Sequence, residues 1–141
     1  MRNIILEKIV VLFLKVMLVF ALYLLVRGHN NPGGGFIAAI IASTGFVFYA
    51  IIFGTKKVEK LLQLSTHQWM GIGLLLALIS ALLPLFFSQE IQTGLWLPAD
   101  FPILGSLHLG TPLLFDTGVF LTVSGVILTI ILSIMEVLEW N

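Results

Sequence analysis

The distribution of charge is the feature that most restricts the folds open to this chain. No Asp, Glu, Lys or Arg interrupts residues 28–55, 61–89 or 117–135. Of the 141 residues, 59% are hydrophobic and only 10% are charged, whereas a soluble domain carries about 25% charged residues. A soluble fold with this composition would lack the polar groups to cover its surface. The sequence therefore predicts an integral membrane protein.

The apolar stretches are long enough for four transmembrane helices, because about 20 residues span a bilayer. We expect one all-α domain over residues 1–141, with helices at about 4–26, 36–53, 69–87 and 115–138. The connection at 88–114 is rich in proline and glycine and predicts an ordered, non-helical surface loop with a short hairpin or an amphipathic turn.

Small residues recur at helical spacing in three of the predicted helices. Such stripes let neighbouring helices approach closely within a membrane. They are Ala38, Ala42 and Gly45; Gly71, Gly73, Ala77 and Ala81; and Gly118, Thr122, Gly125 and Thr129. The pattern predicts a chain made for helix association.

Lysine and arginine predict the orientation in the membrane. Arg2 and Lys8 lie near the N-terminus, and Lys56, Lys57 and Lys60 follow the second helix. The positive-inside rule places both regions in the cytoplasm. Four helices then put both termini inside, and the connections at 27–36 and 88–114 outside.

The connection at 27–36 is the only dense cluster of polar and flexible residues between two long apolar runs. Pro32 fixes its own φ and lacks an N–H, while Gly33, Gly34 and Gly35 permit backbone conformations closed to other residues. No Gly-Lys-Ser/Thr follows, so it is not a phosphate-binding loop. Two interpretations are open: a turn between helices, or a backbone structure that contacts a neighbouring subunit or lines an ion path.

Four ionisable residues are candidates for an ion path or a subunit interface. Asp116 caps the last helix, or it joins Arg27 and His29 in a polar cluster or ion pair at the outer surface. Lys15 lies about 18 Å from Arg27 along the first helix. It either snorkels to the headgroups or faces a partner or a hydrated path inside the membrane.

Several kinds of chemistry are not indicated. The net charge is zero and there is no cysteine, so nothing favours nucleic acid, disulfides or thiol catalysis. His29, His67 and His108 do not form a recognisable metal site, and no catalytic centre or cofactor is expected. No predicted helix carries a carboxylate near its middle, which is unusual for a self-sufficient proton or cation carrier.

Two motifs resemble a known family. Residues 28–36, Gly-His-Asn-Asn-Pro-Gly-Gly-Gly-Phe, closely resemble the signature of the MnhB/MrpB family, the B subunit of the multisubunit Mrp-type sodium/proton antiporters. Residues 114–119, Leu-Phe-Asp-Thr-Gly-Val, resemble a second signature at the start of the family's last helix. The layout and length match the family over essentially the whole chain.

The resemblance implies a non-enzymatic subunit of a hetero-oligomeric complex in the bacterial plasma membrane, surrounded by lipid. Such complexes exchange Na⁺ for H⁺ and support sodium efflux and pH homeostasis. Their larger subunits resemble the proton-channel subunits of respiratory complex I and would carry the proton relay. The positions carried over as functionally sensitive are Pro32, Gly33, Gly34, Gly35 and Phe36.

Three other functions stay open on the sequence. The chain could be the corresponding subunit of a redox-driven ion pump, such as a membrane-bound hydrogenase, and co-purifying proteins would distinguish that case. It could be a small homo-oligomeric channel, although the missing central acid argues against this. It could also be an assembly factor with no part in transport.

Overall fold

A computed structural model describes residues 4–28, 33–91, 93–97, 100–101, 105–106 and 109–139. Four helical segments in this part of the chain are long and apolar enough to cross a membrane, which confirms the predicted all-α membrane fold. The helices are α1 (Ile4–Arg27), α2 (Gly35–Phe53), α3 (Thr55–Leu62), α4 (Thr66–Leu82) with a 3-10 helix at Leu83–Phe87, and α5 (Thr111–Glu139).

Two helices begin earlier than the sequence predicted. The third span starts at Thr66 rather than residue 69, because Ser65 caps it: the Gln68 N–H donates to Ser65 Oγ at 3.3 Å, and the Ser65 N–H donates to Gln68 Oε1 at 3.0 Å. The last span starts at Thr111 rather than residue 115. Pro112 fits there, since a helix leaves the N–H groups of its first turn unbonded.

The connection before α5 contains two short antiparallel strand pairs. Strand β1 (Trp96–Leu97) pairs with β4 (Leu109–Gly110), and β2 (Asp100–Phe101) pairs with β3 (Gly105–Ser106). Along the sequence, β2 and β3 lie between β1 and β4. The connection therefore includes the kind of hairpin that its turn residues predicted.

Helix α5 lies at the centre of the packing. Helix α1 packs on α2, while α2 and α4 both pack on α5. Two hydrophobic clusters result, one near each end of the bundle. The first consists of Ala21, Leu25, Ala38 and Ala42, and the second of Ala50, Val58, Leu62, Leu128 and Leu132. We call the end that holds the second cluster the lysine end, because α3 carries Lys56, Lys57 and Lys60 there.

Helices α4 and α5 meet along a stripe of small residues. A Cβ atom on Gly73 would lie 2.5 Å from the Thr122 backbone nitrogen, and one on Gly118 would lie 2.6 Å from the Ala77 nitrogen. The stripe predicted for α5 and the Gly73–Ala77 part of the α4 stripe are thus confirmed as packing surfaces. The prediction is wrong for Gly71, where an added Cβ would meet nothing within 4 Å.

Gly73→Ala should destabilise the bundle, because the added methyl group would push α4 away from α5. We expect a loss of about 1–3 kcal/mol, as for overpacked cores, seen as earlier heat-induced aggregation of the detergent-solubilised protein. Gly71→Ala on the same helix is the matched control. It should leave stability unchanged or raise it by at most about 1 kcal/mol, and equal losses in both variants would contradict the close-approach interpretation.

Candidate functional site

The glycines at the end of α1 fold back against that helix. We refer to Gly28, Gly33, Gly34 and Gly35 as the glycine turn. The Gly34 N–H donates to the Leu24 carbonyl oxygen at 3.1 Å, and Gly34 has a φ of +99°. This φ disfavours any residue with a Cβ atom. A side chain on Gly28 would collide with the Gly34 backbone nitrogen, so the turn is compact because its residues lack side chains.

The glycine turn also lies directly on α5, at Asp116. A Cβ atom on Gly34 would lie 3.4 Å from Oδ2 of Asp116, and one on Gly35 would collide with the Asp116 backbone carbonyl oxygen. The Cβ atom on Gly35 would also lie 3.1 Å from the backbone nitrogen of Phe120. The structure therefore brings together the two motifs that the sequence singled out.

The position of Asp116 corrects its predicted role as a helix cap. Because α5 begins at Thr111, Asp116 belongs to the second turn of the helix, beyond the N–H groups that a cap satisfies. Its carboxylate oxygen Oδ2 instead lies next to Gly34 of the glycine turn.

A second set of contacts, which the sequence did not predict, fixes the start of α5. Ser80 Oγ, on the buried side of α4, donates to the Thr111 carbonyl oxygen at 2.6 Å. The Leu95 N–H donates to Thr111 Oγ1, and the Thr111 N–H donates to the Leu95 carbonyl oxygen, both at 3.1 Å. A serine within an otherwise apolar span was the available signal, since a buried hydroxyl needs a hydrogen-bond partner. These bonds hold α4, α5 and the intervening connection together at the glycine-turn end.

The other charged candidate at this end lies on α1. Arg27 Nη1 donates to the Tyr23 hydroxyl at 3.0 Å, and the guanidinium carbon lies 5.7 Å from the centre of that ring. His29 and Pro32 lie outside the described residues, so the predicted cluster of Arg27, His29 and Asp116 stays a prediction.

Two candidates are exposed on the bundle surface. Phe36, in the first turn of α2, is 58% exposed. Lys15 is exposed in the middle of α1, where it borders a cavity between the helices. Within the described part of the chain, no group of three His, Asp or Glu residues could hold a metal ion.

The chain matches a family model described as a domain related to the MnhB subunit of Na⁺/H⁺ antiporter, over residues 5–129. It is 36% identical over 133 residues to a candidate antiporter subunit mnhB2 of Staphylococcus epidermidis, covering 94% of each protein. The corresponding protein of Staphylococcus aureus strain Newman is 35% identical over 133 residues, again 94% of each protein.

A solved structure is similar as well. In the Mrp complex from Dietzia sp. DQ12-45-1b, one chain matches 94% of this chain with a TM-score of 0.77 and 30% identity. This chain spans 14% of that longer chain.

The fold and the site define a class: a multi-pass helical membrane protein whose distinctive feature is a glycine turn packed on the start of its last helix. The motif resemblance, the family model and the relatives agree on the particular family. The chain belongs to the MnhB family.

Gly35→Ala should separate the glycine turn from α5, because the new methyl group would overlap the Asp116 carbonyl. We expect a loss of about 1–3 kcal/mol and faster proteolysis at the 27–36 connection in membranes. Ile37→Ala, two residues away, shortens an exposed side chain and is the control. Unchanged proteolysis in Gly35→Ala would show that the turn and α5 are not in contact.

Proposed function

We propose that this chain is a non-catalytic membrane subunit of a multisubunit Na⁺/H⁺ antiporter in the bacterial plasma membrane. Its partners would be the other antiporter subunits, including large subunits similar to the proton channels of respiratory complex I. The complex exports Na⁺ and supports pH homeostasis. The packing of the glycine turn on Asp116 is the observation that carries the proposal, because it unites both family signatures in one structural unit.

The distribution of acidic residues supports a role inside a complex. Helices α2 and α4 contain no Asp or Glu. Glu7 lies in the first turn of α1, Asp116 lies in the second turn of α5, and Glu136 and Glu139 lie in its last two turns. Proton relays and cation paths use acidic groups within the bilayer, so the proton and Na⁺ paths would need such groups from other subunits.

The glycine turn would act as a contact between subunits at the outer surface. Its backbone is fixed by α1 and α5, which gives it a defined shape. Phe36 lies beside it and is largely exposed. An exposed aromatic residue next to a rigid turn suits a contact with another subunit, because little conformational entropy is lost when it is buried.

The decisive experiment measures exchange with and without this chain. The full set of partner genes would be expressed in a strain lacking its own sodium/proton antiporters, and Na⁺-induced collapse of the pH gradient recorded in everted vesicles. Exchange should vanish without the chain and return when it is supplied. Exchange that does not depend on the chain would refute the proposal and leave the redox-driven pump as the next function to test.

Phe36→Ala should impair exchange more than assembly. We expect at least about a tenfold loss of exchange, equivalent to about 1.4 kcal/mol, while blue-native gels still show the full complex. Phe86→Ala, which also removes an exposed phenylalanine, is the control and should retain exchange. Equal activity in the two variants would argue against a special role for Phe36.

Both termini and α3 would lie in the cytoplasm, since α3 carries Lys56, Lys57 and Lys60. The absence of cysteine allows a direct measurement. In intact cells, an impermeant maleimide should label Gln89→Cys but label Lys57→Cys only after permeabilisation. The reverse pattern would invert the topology.

A further inference from the structure

An apolar groove runs along the bundle from its middle to the lysine end. Its volume is about 510 Å³, and its lining comes from α1, α2, α4 and α5, with Leu61 and Leu62 of α3 at the lysine end. Aromatic and aliphatic side chains dominate the lining, among them Phe46, Trp69 and Phe120. Helix α1 borders the groove on one side and α4 on another.

Among the residues that the structure describes, Lys15 is the only charged one that lines this groove. The same side chain also borders a second, more open depression of about 540 Å³, formed with Val16, Val19, Phe20 and Tyr23 of α1. The lysine therefore stands between two apolar concave surfaces. A helix lying alongside α1 would contact both of them.

No described residue supplies a counter-charge to Lys15. In the described part of the chain, Lys15 forms neither an ion pair nor a hydrogen bond. The acidic residues of the spanning helices lie only in the first two turns or the last two turns of a helix. An ammonium group at the centre of a bilayer is costly unless a partner or water accompanies it.

Snorkelling does not remove this cost. Lys15 lies about 18 Å from Arg27 and about 16 Å from Ile4 along the helix axis, at 1.5 Å per residue. A lysine stem covers about a third of either distance, and snorkelling serves residues near helix ends. The charge therefore stays within the hydrocarbon layer, where an opposite charge would stabilise it most.

We propose that the groove holds a transmembrane helix of a neighbouring subunit, and that an Asp or Glu in the middle of that helix pairs with Lys15. This inference rests on the proposed function, because it requires a membrane partner. Charge complementarity favours this occupant over the alternatives. A phospholipid chain brings no charge to that depth, and a second copy of this chain has no carboxylate at the middle of its spans.

The test uses photo-cross-linking within the intact complex in native membranes. Val11 lines the groove one turn from Lys15, and we would replace it with benzoylphenylalanine so that Lys15 is retained. Ile130, which is 55% exposed and absent from the groove lining, would carry the same probe as the control. Mass spectrometry of the product identifies the cross-linked segment.

The probe at Val11 should capture an apolar span of a neighbouring subunit with an Asp or Glu near its middle. Lys15→Arg should keep this product, Lys15→Met should reduce it severalfold, and Lys15→Glu should abolish it. Exchanging the charges, with Lys15→Glu here and the partner's acid replaced by lysine, should restore it. Products at Ile130 should not respond to Lys15→Arg or Lys15→Met.

Three outcomes would overturn the inference: products with phospholipid or a second copy alone, a partner segment without an acid, or a product that persists in Lys15→Glu. If Lys15→Glu prevents the chain from accumulating, failure of the charge exchange to restore the product would count equally against it. Vesicle exchange is recorded in parallel. If the charge-dependent cross-link at Val11 forms but the complex shows no antiport, the proposed function alone is refuted. If the complex shows antiport but this cross-link does not form, the groove assignment alone is refuted.

Discussion

Close approach of helix backbones is the interaction on which this bundle depends. Lipid is as apolar as the side chains that face it, so helices in a bilayer associate through van der Waals contact and hydrogen bonds rather than through exclusion of water. Helix α5 provides such contacts on two sides: Gly118 and Gly125 meet α4, and the backbone at Asp116 meets Gly35 of α2. The Thr129 hydroxyl adds a hydrogen bond to Thr66 Oγ1 at 2.7 Å. Small residues are therefore the principal means by which the bundle is held together.

The structure separates a rigid end from an open middle. At the glycine-turn end, backbone contacts and the hydrogen bonds of Thr111 fix the positions of α1, α2, α4 and α5 relative to one another. Towards the middle, the helices leave an apolar groove whose one charge has no partner in the described chain. This division suits a subunit that presents a fixed surface at one end and completes its interior packing with neighbouring proteins. The same division explains how a chain of an antiporter family can lack an acidic residue at the middle of its spans.

The sequence predicted the spans and their packing faces well, because hydrophobicity and small-residue spacing act locally and repeat along a helix. It failed where the outcome depended on contacts between distant segments. Asp116 was predicted to be a cap because the last helix was expected to begin at about residue 115. The helix instead begins at Thr111, where proline at the next position is compatible with the first turn and Ser80 binds Thr111 from another helix. Gly71 matched the spacing of the α4 stripe but lies off the contact. The meeting of Gly35 with Asp116 could not be derived from spacing, since it joins residues far apart in the chain.

The central position of α5 has a consequence for how the protein is made. Helix α5 is synthesised after α2 and α4, yet both of these helices pack against it. Helices α1 and α2 can associate as soon as they are inserted, while α4 must stay in the lipid without its partner until α5 has been inserted. During that interval its Gly73–Ala77 surface is uncovered and available to any other helix nearby. Correct assembly therefore depends on α5 reaching α4 before a competing helix occupies the same surface.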